Sequence, residues 1–209
     1  MPTRTILDLT KIIDPCLEIY RDGDYADPAV EIVTWCTVDN QGYWVSRLGM
    51  GTQTGTHIDA PAHFCSGGDT LDALPVQALI GRYHVADLHP IARDEDIAAI
   101  VGCFDQEPIL FLRSHRDGSA VTERGLMALC ELPARVWVVA GSIAVQRADP
   151  LYFHRFIARF GKYLIEDLDT EKAGEVEPGG ELIGLPLRLS GVSGSPCRVV
   201  VVMNKQGSN

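Results

Sequence analysis

Arg135-Val136-Trp137-Val138-Val139-Ala140, then Asp149-Pro150-Leu151-Tyr152-Phe153-His154-Arg155-Phe156-Ile157-Ala158-Arg159-Phe160-Gly161, then Tyr163-Leu164-Ile165-Glu166: these three blocks read as strand, helix and strand. The outer blocks are short β-branched and aromatic runs. In the middle block Asp149 is placed to cap free N–H groups, Pro150 suits a first helical turn, and Gly161 can take the left-handed conformation that ends a helix. Phe153, Phe156, Ile157 and Phe160 recur at i, i+3, i+4 and i+7, which predicts one buried stripe. A helix between apolar strands calls for a sheet covered by helices.

The same alternation runs outward from this unit. Strands are expected over residues 83–88, 108–113 and 198–203, and helices over 94–102 and 122–132. The first half reads as strand-rich, with runs 30–38 and 43–50 joined by the turn Asp39-Asn40-Gln41-Gly42. A β-rich front and an alternating back predict an α/β fold, a mixed β-sheet core with flanking helices. The 209 residues suit a single domain spanning 1–209.

Composition narrows the function. Hydrophobic residues are 46% and charged residues 22%, as in a globular chain rather than a disordered one. The net charge is −10 and only four of the basic residues are lysines, so no basic stripe is present to bind nucleic acid or an anionic lipid surface. No apolar run is long enough for a membrane helix. The opening Met1-Pro2-Thr3-Arg4-Thr5-Ile6-Leu7-Asp8 lacks the apolar core of a secretory signal. Six scattered cysteines without a Cys-x-x-Cys pair read as reduced thiols. The expectation is a cytoplasmic protein with a small-molecule substrate and neither nucleic-acid nor membrane partners.

The chemistry concentrates in Gly51-Thr52-Gln53-Thr54-Gly55-Thr56-His57-Ile58-Asp59-Ala60-Pro61-Ala62-His63-Phe64. If residues 52–59 are extended, alternation puts Gln53, Gly55, His57 and Asp59 on one face. Pro61 then ends the ladder and lets His63 turn back toward that face. Two imidazoles, a carboxylate and an amide in so short a span suit a divalent metal, because buried together without one they would be costly to desolvate. The alternative is a polar strand edge with His57 paired to Asp59 and His63 on the surface. Further ligands must come from elsewhere. His84, His89 and His115 read as satisfied or solvated residues, whereas His154 lies in the capped helix ahead of Glu166-Asp167-Leu168-Asp169, at the end of a strand where sheet enzymes gather ligands. An ordinary acidic turn is the competing reading of that run. Gly191-Val192-Ser193-Gly194-Ser195-Pro196 lacks the Lys-Ser/Thr ending of a phosphate loop and reads as a turn. Trp35, Trp44 and Trp137 read as core or subunit contacts, with Trp44 near enough to the 51–64 stretch to face a substrate.

Gly55-Thr56-His57-Ile58-Asp59-Ala60-Pro61-Ala62-His63 resembles the signature of the cyclase family of metal-dependent hydrolases, which includes bacterial kynurenine formamidase and isatin hydrolase. Asp8-Leu9-Thr10 is similar to that family's opening strand, Gly68-Asp69-Thr70-Leu71-Asp72-Ala73-Leu74-Pro75 to the segment after the signature, and Gly194-Ser195-Pro196-Cys197-Arg198-Val199 to its closing strand. His154 and Glu166-Asp167-Leu168 resemble its distal His…Glu-x-Leu pair. The resemblance implies a swivelling β/β/α fold assembled as a homodimer or homotetramer. It implies zinc or manganese, one or two ions per subunit, with His57 on one ion, His154 on a second, and Asp59 and Glu166 shared. It further implies His63 as general acid/base and an amide, lactam or lactone as the bond hydrolysed by metal-activated water.

This sequence departs from the family at two places. Gln53 stands where the family's first histidine would be a ligand, and a neutral amide oxygen shifts preference from zinc toward manganese or magnesium. Tyr20 keeps the aromatic expected to line the substrate pocket, but Arg21 and Asp22 follow where relatives have Pro-Gly. Two alternatives therefore stay open beside the hydrolase: a ring-closing cyclase of secondary metabolism, and a catalytically degenerate small-ligand-binding relative in which Gln53 has cost the metal.

Overall fold

The computed structural model describes residues 4–204, so the first three residues of the N-terminal stretch and the last five of the chain lie outside it. The barrel, the strand beside it and one separate ribbon are built from β1 (Arg4–Asp8), β2 (Glu31–Cys36), β3 (Val45–Gly49), β4 (His57–Asp59), β5 (Ile80–Asp87), β6 (Ile109–Arg113), β7 (Val136–Ala140), β8 (Tyr163–Glu166), β9 (Glu181–Pro186) and β10 (Gly194–Asn204). The three longest helices are α1 (Asp94–Cys103), α2 (Glu123–Cys130) and α3 (Tyr152–Arg159). The expected mixed sheet with flanking helices is present, and it closes on itself. Strands run β10-β9-β5-β6-β7-β8-β4, and β4 pairs back onto β10 to complete a seven-stranded barrel, with β1 attached outside β10. Neighbours from β5 through β8 are parallel; β4, β9 and β1 run antiparallel to their partners. Among the described residues, no helix is long and apolar enough to cross a membrane.

Alternation along each strand builds two cores. Ile58, Ile109, Phe111, Val136, Val138 and Ile165 point into the barrel. Leu110, Leu112, Trp137, Val139 and Leu164 point outward, beneath the helices. Interior strands buried on both faces read as continuous apolar runs, which is why 109–112 and 136–140 were legible as strands.

The strand–helix–strand unit forms as read, with two adjustments. Asp149 accepts from the Leu151 N–H, and the helix itself starts at Tyr152 after Leu151, while Gly161 takes φ +68° at the other end. Phe153, Phe156 and Ile157 are buried, but Phe160, which falls just past the last helical residue, is 41% exposed.

Two expectations for the first half are corrected. The 30–38/43–50 hairpin exists as β2 and β3, turning through a short helical segment that Gly42 ends at φ +82°, but this ribbon pairs with no barrel strand. Residues 52–56 are not extended: only His57–Asp59 is strand. Gly55, at φ +62°, turns the chain, and a side chain there would press on Leu17, whose Cδ2 lies 3.0 Å from the position of a Cβ. The glycine-rich run is a turn only over 191–193; Gly194 onward is strand, because it supplies the pairing that closes the barrel.

Candidate metal centre

β4 lies between β8 and β10, and its register assembles the site. His57 is directly opposite Glu166 and Asp59 opposite Leu164 on β8. Ile58 fills the barrel, so His57 and Asp59 both face outward, and across the ladder Glu166 shares their face. His57 Nε2 lies 3.6 Å from Asp59 Oδ1 and 3.6 Å from Glu166 Oε1. Ligand atoms, one from each residue, lie within 4.8 Å of one another.

The local chain explains why these atoms converge. His57 Nδ1 donates to the Gly55 carbonyl at 2.7 Å, a contact that the left-handed turn at Gly55 creates, so Nε2 is the nitrogen left to face the two carboxylates. The Thr56 hydroxyl donates to the Asp167 carbonyl at 2.8 Å and ties the start of β4 to the end of β8. On the other side Gly194 faces Asp59 across the ladder. A Cβ there would sit 2.4 Å from Gln53 Nε2, 2.7 Å from the Ile58 carbonyl and 3.3 Å from Asp59 Oδ1. Only glycine leaves room for both side chains.

His154 comes from α3 and reaches Glu166 Oε2 with Nε2 at 3.1 Å. Phe64 lies tilted against His154 at 5.2 Å between ring centres and meets His63 edge-on at 4.4 Å. His63 ends a single 3-10 turn, Pro61–His63, is exposed, and has Nδ1 3.4 Å from the Ser193 hydroxyl.

The electrostatics are those of a site built for charge. Burial works against a charged His57, but the Glu166 and Asp59 carboxylates outweigh it and hold its pKa up at about 9. His154 is likewise raised by Glu166 against its burial. Burial would raise Glu166, yet the two histidines hold it below the usual carboxylate range. Asp59 goes the other way: burial raises it, and the histidines do not fully offset this.

Two buried atoms here have no hydrogen-bond partner, Asp59 Oδ1 and His154 Nδ1. An orphaned carboxylate oxygen inside a protein is costly unless something else satisfies it. Donor atoms around a cation at ~2.1 Å stand roughly 3.0–3.4 Å apart in octahedral or tetrahedral geometry, so separations of 3.6 Å need little adjustment. A cavity of about 10 Å³, lined in part by Asp59, Phe64, His154 and Leu164, adjoins the carboxylate. The residues fit a divalent metal.

The remaining expected residues divide. Gln53 flanks Gly194 beside Asp59, off the strand; its Oε1 accepts from the Thr52 hydroxyl at 2.6 Å and its Nε2 donates toward Ser193 at 3.4 Å. Tyr20 and Trp44 are exposed and share no hydrogen bond, ion pair or ring contact with His57, Asp59, His154 or Glu166. Trp137 is core, whereas Trp35 is exposed on the ribbon. His84 pairs with Glu107 and His115 with Asp117, both away from the centre. Sequence reasoning passed over Phe64 and Ser193 as site residues. Phe64 carried a signal, its adjacency to His63; Ser193 carried none, since its role depends on the barrel closing.

Residues 7–118 match the family model described as putative cyclase. The kynurenine formamidase of Maricaulis maris is 27% identical over 212 residues, covering 93% of this chain and 96% of that protein. A kynurenine formamidase of Bacillus cereus is 28% identical over 184 residues, covering 81% and 85%. Isatin hydrolase A from Labrenzia aggregata, solved with benzyl benzoate bound, superposes with a TM-score of 0.82 at 22% identity, covering 97% of this chain and 94% of that one. A structure described as a potential metal-dependent hydrolase with cyclase activity superposes at 0.72, also with 22% identity, covering 96% and 98%. At such identities the superpositions speak for a shared fold alone.

Proposed function

The chain belongs to the putative cyclase family, and from that premise we propose that it is a metal-dependent hydrolase of a small amide, lactam or lactone. The observation that carries this reading is the buried convergence of His57 Nε2, Asp59 Oδ1 and Glu166 Oε1, with the Asp59 oxygen otherwise unsatisfied. The kynurenine formamidase and isatin hydrolase relatives support hydrolysis of a C–N bond in a formamide or a cyclic amide.

His57, Asp59 and Glu166 would hold one divalent cation, with His154 bracing Glu166 and available to a second ion. Two carboxylates beside one imidazole form a hard donor set suited to manganese as well as zinc. Gln53 would add a neutral oxygen only after releasing the Thr52 hydroxyl. When bound, the cation would polarise a carbonyl and acidify a water. His63, on the exposed rim with Ser193 and Phe64 against its ring, would take the proton from water and return it to the leaving nitrogen or oxygen.

Elemental analysis of protein purified without chelator, combined with product analysis on N-formylkynurenine and isatin, tests the proposal. The expected result is stoichiometric manganese or zinc and a product heavier by one water. Failure to take up either metal would favour the degenerate ligand-binding reading, and a bound metal with a product that gains no water would favour a ring-closing cyclase.

A pH dependence follows from His57. The imidazole must lose its proton to serve as a ligand, and in the cation-free protein that proton is held up to about pH 9. Cation affinity should therefore rise about tenfold per pH unit between about pH 6.5 and that value. Calorimetric titration of chelator-stripped protein across that range checks it; a flat affinity would remove His57 from the ligand set. Stability of the cation-free protein has the opposite slope. A raised His57 pKa contributes stability that is complete below the unfolded value near 6.5 and is lost as pH climbs through about 9, and raised Asp59 acts in the same direction.

A further inference from the structure

We propose that Gln53 is a positioning residue for His63, acting through Ser193, and not a ligand of the cation. This rests on the hydrolase reading above, in which His63 moves the proton. Three side-chain contacts run in one line from the loop before β4 to the imidazole. The Thr52 hydroxyl donates to Gln53 Oε1 at 2.6 Å, Gln53 Nε2 donates to the Ser193 hydroxyl oxygen at 3.4 Å, and that oxygen lies 3.4 Å from His63 Nδ1. The first distance fixes which way the amide points. A separation of 2.6 Å is ordinary for O–H···O and short for N–H···O, so the amide oxygen faces Thr52 and the nitrogen faces Ser193.

A neutral amide binds a cation through its oxygen, because its nitrogen only donates. Here the nitrogen is the atom turned toward the centre: a Cβ on Gly194 would lie 2.4 Å from Gln53 Nε2 and 3.3 Å from Asp59 Oδ1. What that nitrogen can do is hold the Ser193 oxygen in place. A hydroxyl has one hydrogen to give and two lone pairs to offer. With Gln53 on one lone pair, Ser193 can still accept from a protonated Nδ1 or turn its own hydrogen onto a bare one. The imidazole thus keeps this partner in both protonation states, and Nε2 is left as the nitrogen for proton transfer. His63 needs such a partner, since it is exposed at the end of a single 3-10 turn. Phe64, edge-on to its ring, restrains the plane without choosing which nitrogen faces outward. A base oriented by a third group through its far nitrogen is the arrangement that proton transfer requires.

A variant cycle tests the proposal, with manganese affinity of chelator-stripped protein as a readout independent of turnover. By calorimetric titration Gln53→Ala should bind manganese as tightly as the parent. On whichever of N-formylkynurenine and isatin the parent hydrolyses, it should lower kcat by about 10–100-fold with KM unchanged, the scale of losing an outer partner of a working residue. In a His63→Ala background the same substitution should cost nothing further, because the group it positions is gone. If Gln53→Ala does not fold, Ser193→Ala, which removes only a hydroxyl, takes its place in the cycle with the same expected losses. Weaker manganese binding by Gln53→Ala would make Gln53 a ligand and overturn the proposal. So would an unchanged kcat, or an equal loss with and without His63. A parent protein that takes up no metal and turns nothing over fails the hydrolase reading itself, and this role of Gln53 falls with it.

Discussion

Replacing Asp59 with asparagine should remove stoichiometric cation binding while leaving the fold intact. The carboxylate is buried, its Oδ1 has no hydrogen-bond partner, and its pKa is raised because the charge is poorly solvated. In the proposed centre that oxygen is satisfied by the cation alone. Asparagine keeps the shape and removes the charge, so the affinity loss should exceed the roughly 10–100-fold that follows removal of a mere outer-shell partner. The chelator-treated variant should melt close to the chelator-treated parent, because burial already disfavours the Asp59 charge and Glu166 remains beside His57. Metal content after dialysis and melts with and without chelator separate these effects. A variant that keeps full metal occupancy would show that Asp59 is not a ligand. Parent protein that never binds metal would instead fail the centre as a whole.

His63→Ala should leave metal content untouched and lower kcat by about 10²–10⁴-fold, the usual contribution of a positioned proton-transfer group. His63 is exposed, lies at the end of one 3-10 turn, and contacts Phe64 and Ser193 rather than the three clustered ligand atoms. Its loss should therefore shift stability by no more than about 0.5 kcal/mol. Unchanged turnover on every accepted substrate would take His63 out of the chemistry and leave proton transfer to solvent or to another group.

The two variants probe features that were legible to different degrees in the chain. His57 and Asp59, two residues apart, face the same way in any extended segment, and that survived although the strand is only three residues long. Gln53 was expected to share the face by the same alternation, but the left-handed turn at Gly55 breaks the period, and Gln53 arrives beside Asp59 only because Gly194 has no side chain to block it. Glu166 was a candidate from its place at a strand end; its pairing opposite His57 rests on the register between β8 and β4. The exposed ribbon shows the same limit, since its apolar alternation looks identical whether it pairs with a barrel or stands apart from it.

Local pattern by itself determined the strand–helix–strand unit around α3, the two-layer alternation of β6, β7 and β8, and the placement of His57 and Asp59 on one face. Those features depend on dihedral preference and side-chain period, which neighbouring residues carry among themselves. Tertiary structure alone decided that β4 bridges β8 and β10, that Glu166 and His154 meet it, and that Ser193 stands behind His63. These contacts join segments far apart in the chain, as the separations of 111 for Thr56–Asp167 and 130 for His63–Ser193 illustrate. No local preference encodes them; they exist because closing the barrel buries Ile58 and its neighbours in one interior and turns the polar side of β4 outward.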